Sequence, residues 1–147
     1  MSSKSEQVIA GLFAAVEVIP GLTGVYRSRA DAFSRREAPA LVVEPLSHDP
    51  KMASICRIEW TDQIAFAIYT RGGDLGGLSP DQQSDPIRVA LHRIIMQQRY
   101  QVAGIDVTAI MPGKVTRELE AGDVPAMWTV CWYWVSYRTP IDDLEDP

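Results

Sequence analysis

The sequence predicts an α+β fold, a mostly antiparallel β-sheet with two main helices packed on one face, and three observations lead there. Two stretches repeat apolar residues at helical spacing, several others alternate apolar and polar residues or are rich in β-branched ones, and their order is helix, strands, helix, strands. A length of 147 residues is enough for one core, so residues 1–147 are expected to form a single domain ending in an acidic tail from about 140 to 147.

Val8, Ile9, Leu12, Phe13 and Val16 mark one face of a first helix from Ser5 to about Val16, which Pro20 and Gly21 end. The polar segment Tyr26 to Ala38 carries Arg27, Arg29, Arg35 and Arg36, and its periodicity fits either a short exposed helix or an irregular arm. Ala40 to Leu46 reads as a strand, and Pro45 makes it an edge or terminating one. Ala53 to Trp60 and Gln63 to Arg71 read as a hairpin joined through Thr61 and Asp62, with Ile64, Phe66 and Ile68 facing a core.

The run RGGDLGGLSPDQQ, residues 71–83, holds four glycines and is expected to be a mobile loop. Asp85 and Pro86 then give a helix start, with Asp85 as the cap, worth ~1 kcal/mol, and Pro86 in the first turn. Ile87, Leu91, Ile94, Ile95 and Gln98 form the inward stripe of this second helix, which runs to about Arg99. A short strand from Ile105 to Ile110, a turn at Pro112 and Gly113, and a strand from Lys114 to Glu120 follow.

The last strand, Ala126 to Arg138, is apolar on both faces. Trp128, Val130, Trp132 and Trp134 point one way; Met127, Thr129, Cys131, Tyr133, Val135 and Tyr137 point the other. A helix is about 10 Å wide and strands lie about 4.8 Å apart, so two helices cover only one face of such a sheet. The other face needs the sheet curled on itself, the arginine segment and the 71–83 loop folded across it, or a neighbouring subunit.

Hydrophobic residues make up 46% and charged residues 22%, the balance of a soluble globular chain. A net charge of -5 argues against a sequence-independent grip on nucleic acid. No apolar run nears the ~18 residues that span a bilayer, and the start MSSKSEQ lacks a secretory pattern, so a cytoplasmic chain is expected. Cys56 and Cys131 lie in apolar stretches and read as buried thiols.

No reaction centre emerges from the residues. His48 and His92 stand outside any metal-ligand pattern and read as surface or rim histidines. There is no GxSxG elbow, and neither the glycines of 71–83 nor the Gly113–Lys114 pair has the residues of a phosphate loop. Glu118, Glu120 and Asp123 fit a solvated strand and turn.

Three stretches carry a family likeness: GVYRSRADAFSRREAPALVVEP from Gly24 to Pro45; Asp85, Pro86 and Ile87 with Leu91, His92, Arg93 and Met96; and YWVSYRT from Tyr133 to Thr139. From about Ile19 to Thr139 the chain resembles the tail terminator proteins of long-tailed phages. The resemblance implies a structural virion protein at the tail-neck junction, assembled in the host cytoplasm, that forms a hexameric ring, caps the tail tube, ends its growth and offers a docking surface to head connector proteins. Its implied partners are itself, the tail tube protein and the head-tail connector; DNA passes through without specific binding, and no membrane, cofactor or catalytic residue is implied.

On that reading the expected interface residues are Arg27, Arg29 and Arg36 of the arm, in ion pairs with Glu118 or Glu120 of a neighbour. Arg71, Asp74, Leu75 and Leu78 of the glycine-rich loop join them, as do Trp132 and Trp134 of the last strand. The competing readings are a head-completion or neck connector protein, and a small ligand-binding domain using an apolar pocket between helices and sheet.

Overall fold

A computed structural model of the chain describes residues 2–72, 77–122 and 124–145. Helix α1 (Lys4–Val16) begins where the Ser3 hydroxyl accepts from the Glu6 N–H at 3.2 Å, and it buries the expected stripe of Val8, Ile9, Leu12 and Val16. Beyond it Gly21, at φ +88°, takes the left-handed turn that glycine permits. Strand β1 (Gly24–Arg27) then runs parallel to the start of β2 (Ala40–Met52), which pairs antiparallel with β3 (Arg57–Arg71).

Helix α2 (Pro80–Gln97) and a two-residue hairpin, β4 (Gln101–Val102) with β5 (Ile105–Asp106), lead to β6 (Ala109–Glu120) and β7 (Ala126–Pro140). The main sheet has the order β1-β2-β3-β7-β6, with every pairing except β1–β2 antiparallel. The α+β class and the mostly antiparallel sheet with two helices are therefore as the sequence predicts.

One face of the sheet forms the core. Leu41, Val43, Ile64, Phe66, Ile68 and Val135 meet Val8 and Leu12 of α1 and Leu91 and Ile95 of α2, all without solvent exposure. These side chains, each worth roughly 1.5–3 kcal/mol on burial, hold the two helices to the sheet.

Four expectations about elements are corrected. Thr61 and Asp62 are not a turn: they lie inside the single long strand β3, opposite Ser136 and Val135 of β7, and the hairpin turn falls between Met52 and Arg57. Helix α2 starts at Pro80, not at Asp85, because Ser79 and Gln82 form a capping box in which the Ser79 N–H donates to Gln82 Oε1 at 3.0 Å. Pro86 thus sits inside the helix. Pro112 and Gly113 are not a turn between strands but a bulge within β6, whose pairing with β7 slips by one residue between Pro112 and Val115; an edge strand tolerates proline there. Cys131 is buried as expected, whereas Cys56 is exposed in the β2–β3 turn.

Candidate assembly surface

Among the described residues, the second face of the sheet is covered only in part. Along β7 the side chains alternate strictly: Thr129, Cys131, Tyr133, Val135 and Tyr137 are buried toward the helices, while Trp128, Val130, Trp132, Trp134 and Ser136 on the other side keep contact with solvent.

The arginine segment resolves into β1, an irregular stretch and a 3-10 turn (Arg35–Glu37), and it folds back over one half of this face. Phe33, only 8% exposed, stacks on Tyr69 at 5.3 Å between ring centroids and meets Trp128 edge-on at 5.5 Å. The Arg29 guanidinium lies 4.1 Å from the Phe33 centroid and 4.5 Å from that of Tyr26. The Glu37 carboxylate bonds the same guanidinium and also accepts from the Ser34 N–H at 3.1 Å. These bonds to its charged form hold Glu37 down at about 2.

Past Trp128 this cover stops. Trp132 is half-buried beneath Lys114, whose Nζ is 4.9 Å from its ring, and Trp134 is 37% exposed. Trp134 rests on Gly113, where a Cβ would come within 2.5 Å of the indole; the side chain that glycine lacks is what lets the ring lie flat on β6. Met111, opposite Trp134 on β6, is 60% exposed.

The two borders of the sheet differ in the same sense. β1 covers β2 only from Ala40 to Val43, and beyond that β2 carries Pro45 and Pro50, which lack the N–H a further strand would bond. β6 forms the opposite border. From Val115 to Glu120 it has no proline and its side chains are exposed, among them Val115 at 38% and Leu119 at 63%. One border is blunted and the other is open.

The structure distributes the expected interface residues as follows. Arg27 is bonded within the chain, its guanidinium donating to both Glu6 oxygens at 2.5 and 2.6 Å, and Arg29 is held by Glu37. Arg36 is exposed and makes no ion pair among the described residues. Arg71 donates through Nε to Tyr69 Oη at 2.9 Å and shares a cleft of 320 Å³ with Arg35 and Glu120. Glu120 accepts from Trp128 Nε1 at 3.0 Å, Glu118 is exposed beside it, and Leu78 is 45% exposed. Asp74 and Leu75 lie outside the described residues. Arg71, Glu120 and Trp128 thus meet at one end of the second face, Trp132 and Trp134 line its middle, and Arg27 stands apart on the helix side.

Sequence reasoning missed a polar cluster on that helix side. Asp62, without solvent exposure, accepts from Ser5 Oγ at 2.7 Å and from Tyr137 Oη at 3.0 and 3.1 Å, with His48 Nδ1 2.8 Å away. Its signal was present: an aspartate at an inward position of the alternation that continues through Ile64 and Phe66. Ser5, His48 and Asp62 are the residue types of a hydrolytic triad in a different order. The serine proton goes to Asp62, and Ser5 lies near the same histidine nitrogen that faces the aspartate, at 3.3 Å, so the second ring nitrogen is not set between base and nucleophile. His92 Nδ1 is 2.8 Å from Tyr133 Oη, and among the described residues no three His, Cys, Asp or Glu side chains are grouped to hold a metal ion. No helix is long and apolar enough to cross a membrane among those residues.

No family model matches the chain, and no curated protein matches it either. Among solved structures, a chain from the virion of a native gene transfer agent particle aligns with 10% identity and a TM-score of 0.45, covering 92% of this chain and 96% of that one. A second solved chain, which carries no functional name, aligns with 18% identity and a TM-score of 0.43, covering 91% and 97%.

Proposed function

We propose that this chain is a structural virion protein of a phage-like particle, one that assembles into a ring, caps the tail tube and offers a docking surface to head connector proteins. Self-assembly is carried by one observation: a single copy leaves the strip from Trp132 to Trp134 and the open β6 border uncovered, side by side. Burying the remaining third of an indole such as Trp134 removes about 60–90 Å² from water, roughly 1.5–2 kcal/mol per ring, and strand edges of this kind add backbone hydrogen bonds.

The role at the end of a tail tube is supported by the resemblance of Gly24–Pro45, Asp85–Met96 and Tyr133–Thr139 to tail terminators. A net charge of -5 suits a channel through which DNA slides without sticking. The reading requires no catalytic group, and the Asp62 cluster, with its hydrogen bonds closed among its own residues, has the form of a structural hub.

Particles lacking this chain are expected to have tails of abnormal length. Free tails of normal length would overturn the capping role in favour of a neck connector. Electron microscopy of the purified protein mixed with tail tubes is expected to place rings at tube ends, and a chain that stays monomeric with tubes present would overturn the ring.

A further inference from the structure

A groove of 300 Å³ lies between α2 and the bulged half of β6, floored by the middle of β7. It exists because α2 packs over β3 and β7 and stops short of β6, leaving Val115 and Leu119 uncovered on the helix side with Arg117 between them. Arg88 and His92 of α2 form one wall, and Cys131 and Tyr133 the floor.

The groove is built for an anion beside an apolar group. Arg88 Nε is buried and has no hydrogen-bond partner among the described residues, and the carboxylate of Asp85 is 3.9 Å from the far end of the guanidinium, between two side chains open to water. A buried donor left unpaired is destabilising, and an incoming acceptor removes that penalty. Arg117 adds a second positive charge acting on the same floor, at Cys131. Tyr133, pushed up by burial to about 12, stays neutral and adds no opposing charge. Val89 and Val115 supply the apolar flank.

We infer that this groove receives the side chains of the C-terminal segment Ile141–Glu145 of a second copy. This segment has the matching chemistry: Ile141 and Leu144 are 52% and 51% exposed, and Asp142, Asp143 and Glu145 beside them are exposed carboxylates. It cannot fill the groove of its own chain. Its backbone is tied at the far end of the sheet, with Ile141 N–H bonded to the Cys56 carbonyl at 3.0 Å and the Leu144 carbonyl accepting from the Lys4 N–H at 2.7 Å. From Cys131 to Pro140 the extended strand spans about 30 Å. Groove and segment are different surfaces, so the contact can repeat head-to-tail from copy to copy, as a ring requires. The inference rests on the ring reading above and names one of its contacts.

The test uses the full chain in three variants: Arg88→Glu, Asp142→Lys with Asp143→Lys, and all three changes together. Sedimentation and native mass spectrometry should show the first two weakening self-association at least about tenfold, as loss of a buried charge pair does, and the third restoring it. Circular dichroism checks that each variant keeps its fold. In parallel, a synthetic peptide of residues 139–145 is titrated calorimetrically into the wild-type chain and into Arg88→Glu, and binding is expected only to the former. Association unchanged by the single reversals, or not restored by their combination, overturns the contact while leaving the ring reading intact. Arg88-dependent peptide binding by a chain that never self-associates supports the groove and overturns the ring.

Discussion

The Tyr137 hydroxyl donates to the buried carboxylate of Asp62 at 3.0 Å, linking β7 to β3 beneath the first turn of α1. Ser5 from that turn donates to the same carboxylate at 2.7 Å, and His48 of β2 lies 2.8 Å from it. One side chain therefore joins three strands and a helix, at a point where Tyr137 has its ionisation pushed far up by burial and remains a donor.

Asp62→Ala should accordingly be among the costliest single changes in the chain. It leaves the Tyr137 and Ser5 hydroxyls without their acceptor, a loss of about 2–4 kcal/mol for a charge-assisted network. Tyr137→Phe removes one donor and should cost about 1–2 kcal/mol. Urea unfolding of the two variants checks the order; equal, small losses would show that Asp62 is not the hub.

Acid should release the arginine arm through Glu37. Its pKa falls from an ordinary 4.5 to about 2 on folding. A depressed carboxylate stabilises above its unfolded value and loses that contribution as pH falls through the folded one. The cover over Trp128 should thus hold from neutral pH to about 4.5 and weaken between there and about 2, read as a change in tryptophan fluorescence. Glu6 is also lowered, by its bond to Arg27, and contributes to the same acid transition, so the decisive measurement is the difference. Glu37→Gln should lose the arm-specific step, with the arm already loosened at neutral pH.

How far the sequence disclosed this fold can be traced residue by residue. Val8 to Val16 and the alternation from Ile64 to Ile68 were legible because each pattern is local and its apolar face is the core face. The start of α2 was misread because Asp85–Pro86 is a sound start signal that lies inside a longer helix opened by another local one, the Ser79–Gln82 capping box with Pro80 at the first helical position. Pro112–Gly113 read as a turn because a bulge differs from a turn only in whether the partner strand continues, and β7 lies in another part of the chain. The second face was half legible: its apolar character stood in Trp128 to Trp134, but Phe33, the residue that covers one end, reads as an isolated aromatic among arginines. The partners that Arg27 and Arg29 have within the chain were not legible, because Glu6 and Glu37 are brought to them by the fold.

The relocated start of α2 gives a sharp comparison. Ser79→Ala removes half of the capping box and should cost about 1 kcal/mol. Asp85→Ala, within the helix and exposed, should change stability by less than about 0.5 kcal/mol. Chemical denaturation of both settles it, and the reverse order would place the functional N-terminus of the helix at Asp85.

Trp134 and Gly113 provide a test of the uncovered strip itself. An added methyl at position 113 would sit 2.5 Å from the indole and 3.1 Å from the Trp132 carbonyl, so Gly113→Ala must push the ring off β6. The ring is 37% exposed and has room to swing outward, which keeps the cost near the lower end of the ~1–3 kcal/mol seen for overpacking. Trp134→Ala gives up the packing of the buried part of the ring, and in that background Gly113→Ala should lose most of its effect, a coupling a double-mutant cycle measures directly. If the strip is an assembly surface, both single variants should weaken ring formation beyond what their loss of fold stability accounts for, because a displaced or missing indole spoils a surface that the monomer never fully buries. Variants that match wild type in ring formation would remove Trp134 from the interface.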